Sequence, residues 1–494
     1  MKKSLIWIGG IVAVAAIGWS ALWFLGRSEL SKQIDLELAR AEAQGQTITW
    51  GTREIDGFPM GYDLRLTDVA VTDQESGILL QIPEVRSRLH AASIERIEAD
   101  VLGKIRITAP IAEETRQTDP RLPQVINLVG ENDGLRLSVE IIAGARRDFR
   151  VTAERSVWRV DQEDFPNRIV LQADGVESRQ TVRGSDRVAN IALDRLKLEV
   201  DGDADGQAAR VEYAVEDLSI TTTTTATTLD ELLTIVVGGE GSAELVYQSG
   251  RIDALAETGD PAGSDRDRFS YTGLSGTGII TVADGRLEFR TEGRENVWTV
   301  DPTEAPSMIR GSFEAEAIQT SYAMPIAVRS TPEAANLRFS AINVAGDEVF
   351  WAQLDPARVL DRAPSEMIID IETTARVTGS YAAAAAQGRL PVEFSNIIVN
   401  EVAVSALGGA IHASGDIELL QPLNLPMGSL NVTLTEIANL IDALHRAQLI
   451  DDETLTTADA MLDVYTNPGS DEQTRVTEVT LGTEGLTING LPVP

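Results

Sequence analysis

The sequence predicts a mainly β fold, a β-rich α+β chain in which an N-terminal transmembrane helix precedes elongated, mostly antiparallel, curved sheet with a few capping helices. Three observations predict it. Residues 5–25, LIWIGGIVAVAAIGWSALWFL, form a run without a charge. Beyond it, apolar and polar residues alternate with period two in runs broken by Gly, Asp and Pro, the pattern of antiparallel strands with one apolar face. The chain also has no cysteine, so its body is held without disulfides, which a chain of 494 residues has enough buried surface to do.

At about 1.5 Å rise per residue, the uncharged run crosses a hydrocarbon core of roughly 30 Å. Lys2 and Lys3 precede it, and Trp7, Trp19 and Trp23 lie toward its ends, where indoles favour the headgroup layer. A cleavable signal peptide has a shorter apolar region that ends in small residues. Here Ala15-Ala16 falls mid-run and the run ends in Leu22-Trp23-Phe24-Leu25, so a retained anchor is expected. The two lysines keep the N-terminus cytoplasmic and send the rest across, with Arg27 pulling weakly the other way. In a bacterium the protein is then anchored in the inner membrane with its bulk in the periplasm. The remainder is too long for one compact core. It reads as an anchor over 1–27, a β-rich region with a leading helix over 28–225, and a second β-rich region over 226–494 with helical pairs near 347–362 and 434–465.

Asp and Glu number 76 against 42 Lys and Arg, a net charge of -34. That balance excludes a phosphate-tracking nucleic-acid binder as the default and argues against a body lying along an anionic membrane surface. Solubility accounts for it.

Ser28 caps a helix with Leu30, Ile34, Leu38 and Ala41 on one face and Gly45 as its stop. Two strands follow, joined through Gly57-Phe58-Pro59, where Phe58 is free to plug a sheet end. Strands continue to about Ile220, and Thr221–Thr225 reads as a strand end or exposed edge. LDELLTIVVGG is helix-like, 256–268 is a polar loop, and Asp284-Gly285 turns a hairpin. Near 347–362, Phe350, Trp351 and Leu354 give a short helix a bulky apolar side. Asp355 with Pro356 caps a second helix, and the aromatics plug the end of a sheet. Gly408-Gly409 turns a further hairpin, Thr433 with Glu436 makes a capping box, and a helix follows over DETLTTADAMLDVY. The hairpin rhythm has no fixed period that would license a repeat architecture.

One local motif carries metal chemistry. Asp201, Asp203, Asp205 and Gly206, with Glu212 following, fit the calcium-loop pattern, in which oxygen ligands wrap the ion and glycine makes the sharp turn. Its flanks alternate like strands where that motif needs helices, so an acidic hairpin turn competes with a calcium site. The histidines His90, His412 and His445 are far apart in sequence. There is no cysteine nucleophile, nucleophile elbow, phosphate loop or dinucleotide fingerprint, so no catalytic residue and no cofactor is assigned.

Together, the anchor, the amphipathic helix, the Gly57-Phe58-Pro59 turn, the segment Asn336 to Ile371 around Phe350-Trp351 and Asp355-Pro356, and the ending Gly485 to Pro492 resemble domain-of-unknown-function family 2125. Those are bacterial envelope proteins without an assigned activity. More loosely, an inner-membrane helix followed by a long strand-rich body is similar to the AsmA-like proteins, which implies shelter or transfer of lipid in an apolar groove of curved sheet.

Three functions follow in order. The first is binding or transfer of lipid or another apolar molecule, the second an envelope scaffold without a ligand, and the third an enzyme. The same alternation lines an open groove or fills a closed sandwich, and sequence does not separate those two.

Overall fold

The predicted period of two becomes antiparallel strands almost throughout a computed structural model of the chain. It describes residues 27–493 apart from 29–30, 33, 37, 40–41, 44, 59–60, 75, 91–92, 112, 119–121, 143–145, 163–164, 166, 184–185, 205–206, 227–234, 236–240, 260–265, 303–308, 380–390, 421–424 and 484. The uncharged run 5–25 and Pro59 lie outside the described residues. Among those described, no helix is long and apolar enough to cross a membrane. The chain divides into two compact units, Met1–Gly206 with Arg210–Ala214, and Gln207–Ala209 with Val215–Pro494.

In the first unit the described positions between 27 and 43 are helical, and Gly45 stops them with φ of 82°. Asp35 and Ser31 each hold the guanidinium of Arg53 at 2.9 Å, which ties this helix to the strand Thr52–Asp56. That strand turns through Gly57 and Phe58 into Gly61–Asp73, as expected from Gly57-Phe58-Pro59. Leu79–His90 pairs with Gly61–Asp73 and begins a distinctive arrangement. Two successive short strands share its other side, Ser93–Leu102 on its C-terminal half and Ile105–Pro110 on its N-terminal end. Val125–Asp133 returns beside Ile105–Pro110, and Arg136–Ile142 beside Ser93–Leu102. The long strand Arg146–Val160 then spans both. Arg168–Arg183 and Asp186–Ala204 add two further full-length strands.

The second unit uses the same weave. Gln207–Thr224 is the long strand, with Ala243–Ser249 and Ile252–Gly259 sharing its side. Arg266–Gly273 pairs with Ile252–Gly259 and Ser275–Ala283 with Ala243–Ser249, and Arg286–Asp301 spans both. A repeat is therefore present where the hairpin rhythm gave no period. The reason is physical: two short strands filling one strand position break the spacing of turns. From Arg286–Asp301 onward the sheet is a meander through Gly311–Pro325, Glu333–Gly346, Ser365–Val377, Val392–Ala406, Gly409–Leu420, Leu425–Thr435 and Thr474–Gly482 to the short strands Gly485–Ile488 and Leu491–Pro492.

Helices decorate strand ends in this unit: α1 (Glu348–Leu354), α2 (Ile437–Arg446) and α3 (Asp452–Tyr465). Four local expectations need correction. Asp355 does not cap a second helix near 362. It closes α1 at its C-terminal end, and Pro356 enters a turn. Thr433 stays in its strand, and α2 starts at Glu436 in a left-handed conformation without a side-chain cap, so no capping box forms. The hairpin turn is Leu407-Gly408, both at positive φ, because Gly409 already pairs with Ala406. The polar loop expected over 256–268 is shorter, because Ile252–Gly259 and Arg266–Gly273 are paired strands. Of the two readings of the threonine run the strand end holds, with Thr221–Thr224 paired to Ala243–Val246. Asp284-Gly285 turns as predicted, with φ of 52° and 73°.

Candidate functional site

Because side chains on a strand alternate faces, register alone tells which residues share a surface. In the second unit one cross-strand row runs from Leu245 through Ile280, Phe289, Tyr322, Leu337 and Ile371 to Val399. It continues past Gly415 through Leu430 and Val479 to Ile488. No rank of it is charged. At about 4.8 Å between strands its ten steps cover about 48 Å of path. On the same face, four residues along each strand and five across the bulge after Val399, Ile318, Ala341, Met367, Val404, Ile411 and Leu434 form a parallel row.

Both rows are only partly covered. Leu337 is 43% exposed, Met367 37% and Ile411 43%, values far from those of a filled sandwich core. Within the rows Val399 and Ala341 are 9% and 8% exposed, and buried clusters of several residues form at the strand ends. At one end Val282, 1% exposed, packs with Ala226, Ile235 and Ile326 against Leu287 and Met324. At the other, Trp351, Leu360 and Ala443 form a buried cluster with Phe350, Leu354, Leu407, Leu444 and Ala447. The result is an apolar strip along the sheet face, a trough only in the sense that a buried cluster bounds it at either end of the strands.

Phe350 and Trp351, the residues expected to plug a sheet, lie in the buried cluster at the helical end. A chain of rings leads to them: Tyr271 lies 5.6 Å from Trp298, which pairs across strands with Phe313; Phe313 lies 4.7 Å from Phe350, and Phe350 5.1 Å from Trp351. Behind the plug Asp355 is fully buried. Its carboxylate accepts the N–H groups of Val359 at 3.0 Å and Leu360 at 2.9 Å, and the Arg362 guanidinium stands 3.6 Å away while covering the Trp351 ring. Burial alone would raise its pKa. The two backbone donors and Arg362 outweigh that and hold the carboxyl below the usual range. These residues fix a loop.

The opposite face is charged. Arg290, Ser321, Arg338, Asp370 and Glu401 occupy one row, with Arg338 bound to Asp370 at 3.1 Å and His412 3.7 Å from Glu401. A groove of about 420 Å³ follows this row. The sheet is thus amphipathic across its thickness.

The other expected site residues are spread out. Asp201 pairs with Arg168 at 2.9 Å and Arg210 at 3.8 Å, and Glu212 with Arg210 and with Lys197 at 3.6 Å. Asp203 is the next-to-last residue of the strand Asp186–Ala204, and Asp205 lies outside the described residues. Among the described residues, no group of three or more His, Asp or Glu is placed to hold a metal. Gly57 turns at φ of 95°, with no room for a Cβ beside the Asp63 amide, and Phe58 beside it is 51% exposed. His445 meets Asp452 at 2.8 Å between α2 and α3. The trough rows themselves were not singled out by sequence. Their signal, one apolar residue every second position, is shared by every strand, and only register aligns them into a continuous surface.

Residues 23–268 match a family model described as "Uncharacterized protein conserved in bacteria (DUF2125)". The segments Asn336 to Ile371 and Gly485 to Pro492 fall beyond the matched span. No curated protein and no solved structure matches the chain.

Proposed function

Residues 23–268 place the chain in the DUF2125 family of bacterial proteins, and from that premise we propose that it binds or transfers lipid, holding acyl chains along the apolar trough of its second unit. The observation that carries this reading is the uncharged row from Leu245 to Ile488, whose middle is left partly exposed while buried clusters bound both strand ends. An exposed apolar surface of that extent is costly in water and suits a site for an apolar ligand. The run 5–25 supports the same reading: as an inner-membrane anchor with the bulk in the periplasm, it supplies acyl chains beside the protein.

The test is lipid recovery. Full-length chain is purified in detergent, exchanged into nanodiscs of phosphatidylethanolamine and phosphatidylglycerol, released with protease-free detergent washing, and its retained lipid quantified by native mass spectrometry. Lipid retained in defined ratio through the washing supports the trough. A clean apo mass overturns lipid carriage and leaves the ligand-free envelope scaffold in front.

A further inference from the structure

The two weaves are the same object in topology, and their final strands are the same object in sequence. Residues 148–161 read DFRVTAERSVWRVD and residues 288–301 read EFRTEGRENVWTVD. Phe149 and Phe289, Arg150 and Arg290, Val157 and Val297, Trp158 and Trp298, Val160 and Val300, and Asp161 and Asp301 coincide without a gap. The turns between the paired short strands echo each other too, Gly103-Lys104-Ile105 against Gly250-Arg251-Ile252. Buried polar pins coincide as well. Ser156, 9% exposed, accepts from Trp158 at 2.8 Å, and Asn296, 2% exposed, accepts from Tyr271 at 2.8 Å. Six identities in register on two strands that occupy one topological place fit a duplication.

Register then carries the trough across. In the second unit its first ranks are Leu245, Ile280 and Phe289. The equivalent positions of the first unit are Ile97, Val139 and Phe149, which pair in the same order. On the same face Ala99, Leu137 and Val151 make the next row, and Leu137 is 37% exposed. The patch stops at Gln180, which pairs with Phe149 where Tyr322 pairs with Phe289.

Resting on the lipid reading above, we propose that the chain carries two acyl-chain stations of common origin, a short one in the first weave that includes Phe149 and the long one that includes Phe289. The occupant of the first is a membrane lipid's acyl chain, because the patch holds no charge in three ranks and the uncharged run 5–25 belongs to the same unit of the chain.

The experiment uses full-length chain in phosphatidylethanolamine and phosphatidylglycerol vesicles doped with a phosphatidylethanolamine bearing a diazirine in one acyl chain. After irradiation, labelled peptides are mapped by mass spectrometry. The expected result is label in two places, around 137–151 and around 280–322. Phe149→Glu removes more than about nine-tenths of the first and spares the second, and Phe289→Glu does the reverse. Label around 280–322 alone, in the unsubstituted chain, overturns the second station and leaves the lipid reading standing. Label at neither place overturns the lipid reading itself. Because the map of the unsubstituted chain decides both, a variant that fails to fold does not blunt the test.

Discussion

The ring of Tyr247 lies over Gly278, its directly opposed partner on the neighbouring strand, and its hydroxyl meets the Thr291 hydroxyl at 2.7 Å one strand further on. A Cβ on Gly278 would collide with that ring. Trp158 covers Gly130 in the first unit in the same way, with a Cβ there falling 2.8 Å from the indole. In both units, then, a glycine gives an aromatic ring room to lie across the next strand.

Gly278→Val therefore forces the Tyr247 ring off the sheet. It is expected to destabilise the second unit by about 1–3 kcal/mol, the usual cost of overpacking. Tyr247→Phe keeps the ring and loses one hydrogen bond, a cost of about 0.5–1.5 kcal/mol. Urea unfolding followed by tryptophan fluorescence ranks the two. Equal effects would mean that the glycine is incidental.

Trp351→Ala empties the centre of the helical plug. With Trp351 only 8% exposed, the loss is expected to be about 3–5 kcal/mol. Amide hydrogen exchange should show α1, α2 and the loop through Leu360 opening together while the strands around Leu287 stay protected. Uniform loss of protection would show that the plug is not a local unit.

Asp355 gives the plug a pH dependence whose sign is fixed. Its folded pKa lies below its unfolded value, so its contribution to stability is complete above about pH 4 and is lost as pH falls through the folded value. Acid titration monitored by near-ultraviolet circular dichroism should show this loss at the plug. In Asp355→Asn the acid step should shrink, with lower stability at neutral pH. An unchanged acid step in that variant would remove Asp355 from the account.

Leu337 and Ile279 are almost equally exposed, at 43% and 41%, but they stand on opposite faces. Leu337→Asp should cut retained lipid at least about fivefold and leave folding intact, whereas Ile279→Asp, placed beside Arg290, should change retention little. Equal retention by both variants would argue that lipid does not follow the Leu245 to Ile488 row.

Much of the strand content was legible because alternation is a local property. The turns at Gly57 and Asp284-Gly285 were legible for the same reason, since each needs a residue that tolerates positive φ. Asp355 misled because an Asp followed by Pro reads as a helix start. Its real partners, the Val359 and Leu360 amides, lie just downstream in a loop that burial behind Trp351 selects. Gly409 misled in a related way: it lacks a side chain for the sake of packing, since a Cβ there would fall 2.9 Å from Leu440, and the turn moved one residue earlier. The trough was not legible, because it exists only in the alignment of residues as distant as Leu245 and Ile488. The duplication was hidden by divergence everywhere except the strand that ends each weave.

From Arg286 to Leu420, each new strand of the meander pairs with the one laid down immediately before it. No strand there waits for a partner that is synthesised much later. Loop-closure entropy is met in small steps, which favours quick folding for a sheet of this size. Such a chain zips from its N-terminal side as it emerges, and its growing edge at any moment is one strand wide. The strands Gly485–Ile488 and Leu491–Pro492 are only four and two residues long, and so short an edge offers little template for pairing with a further chain.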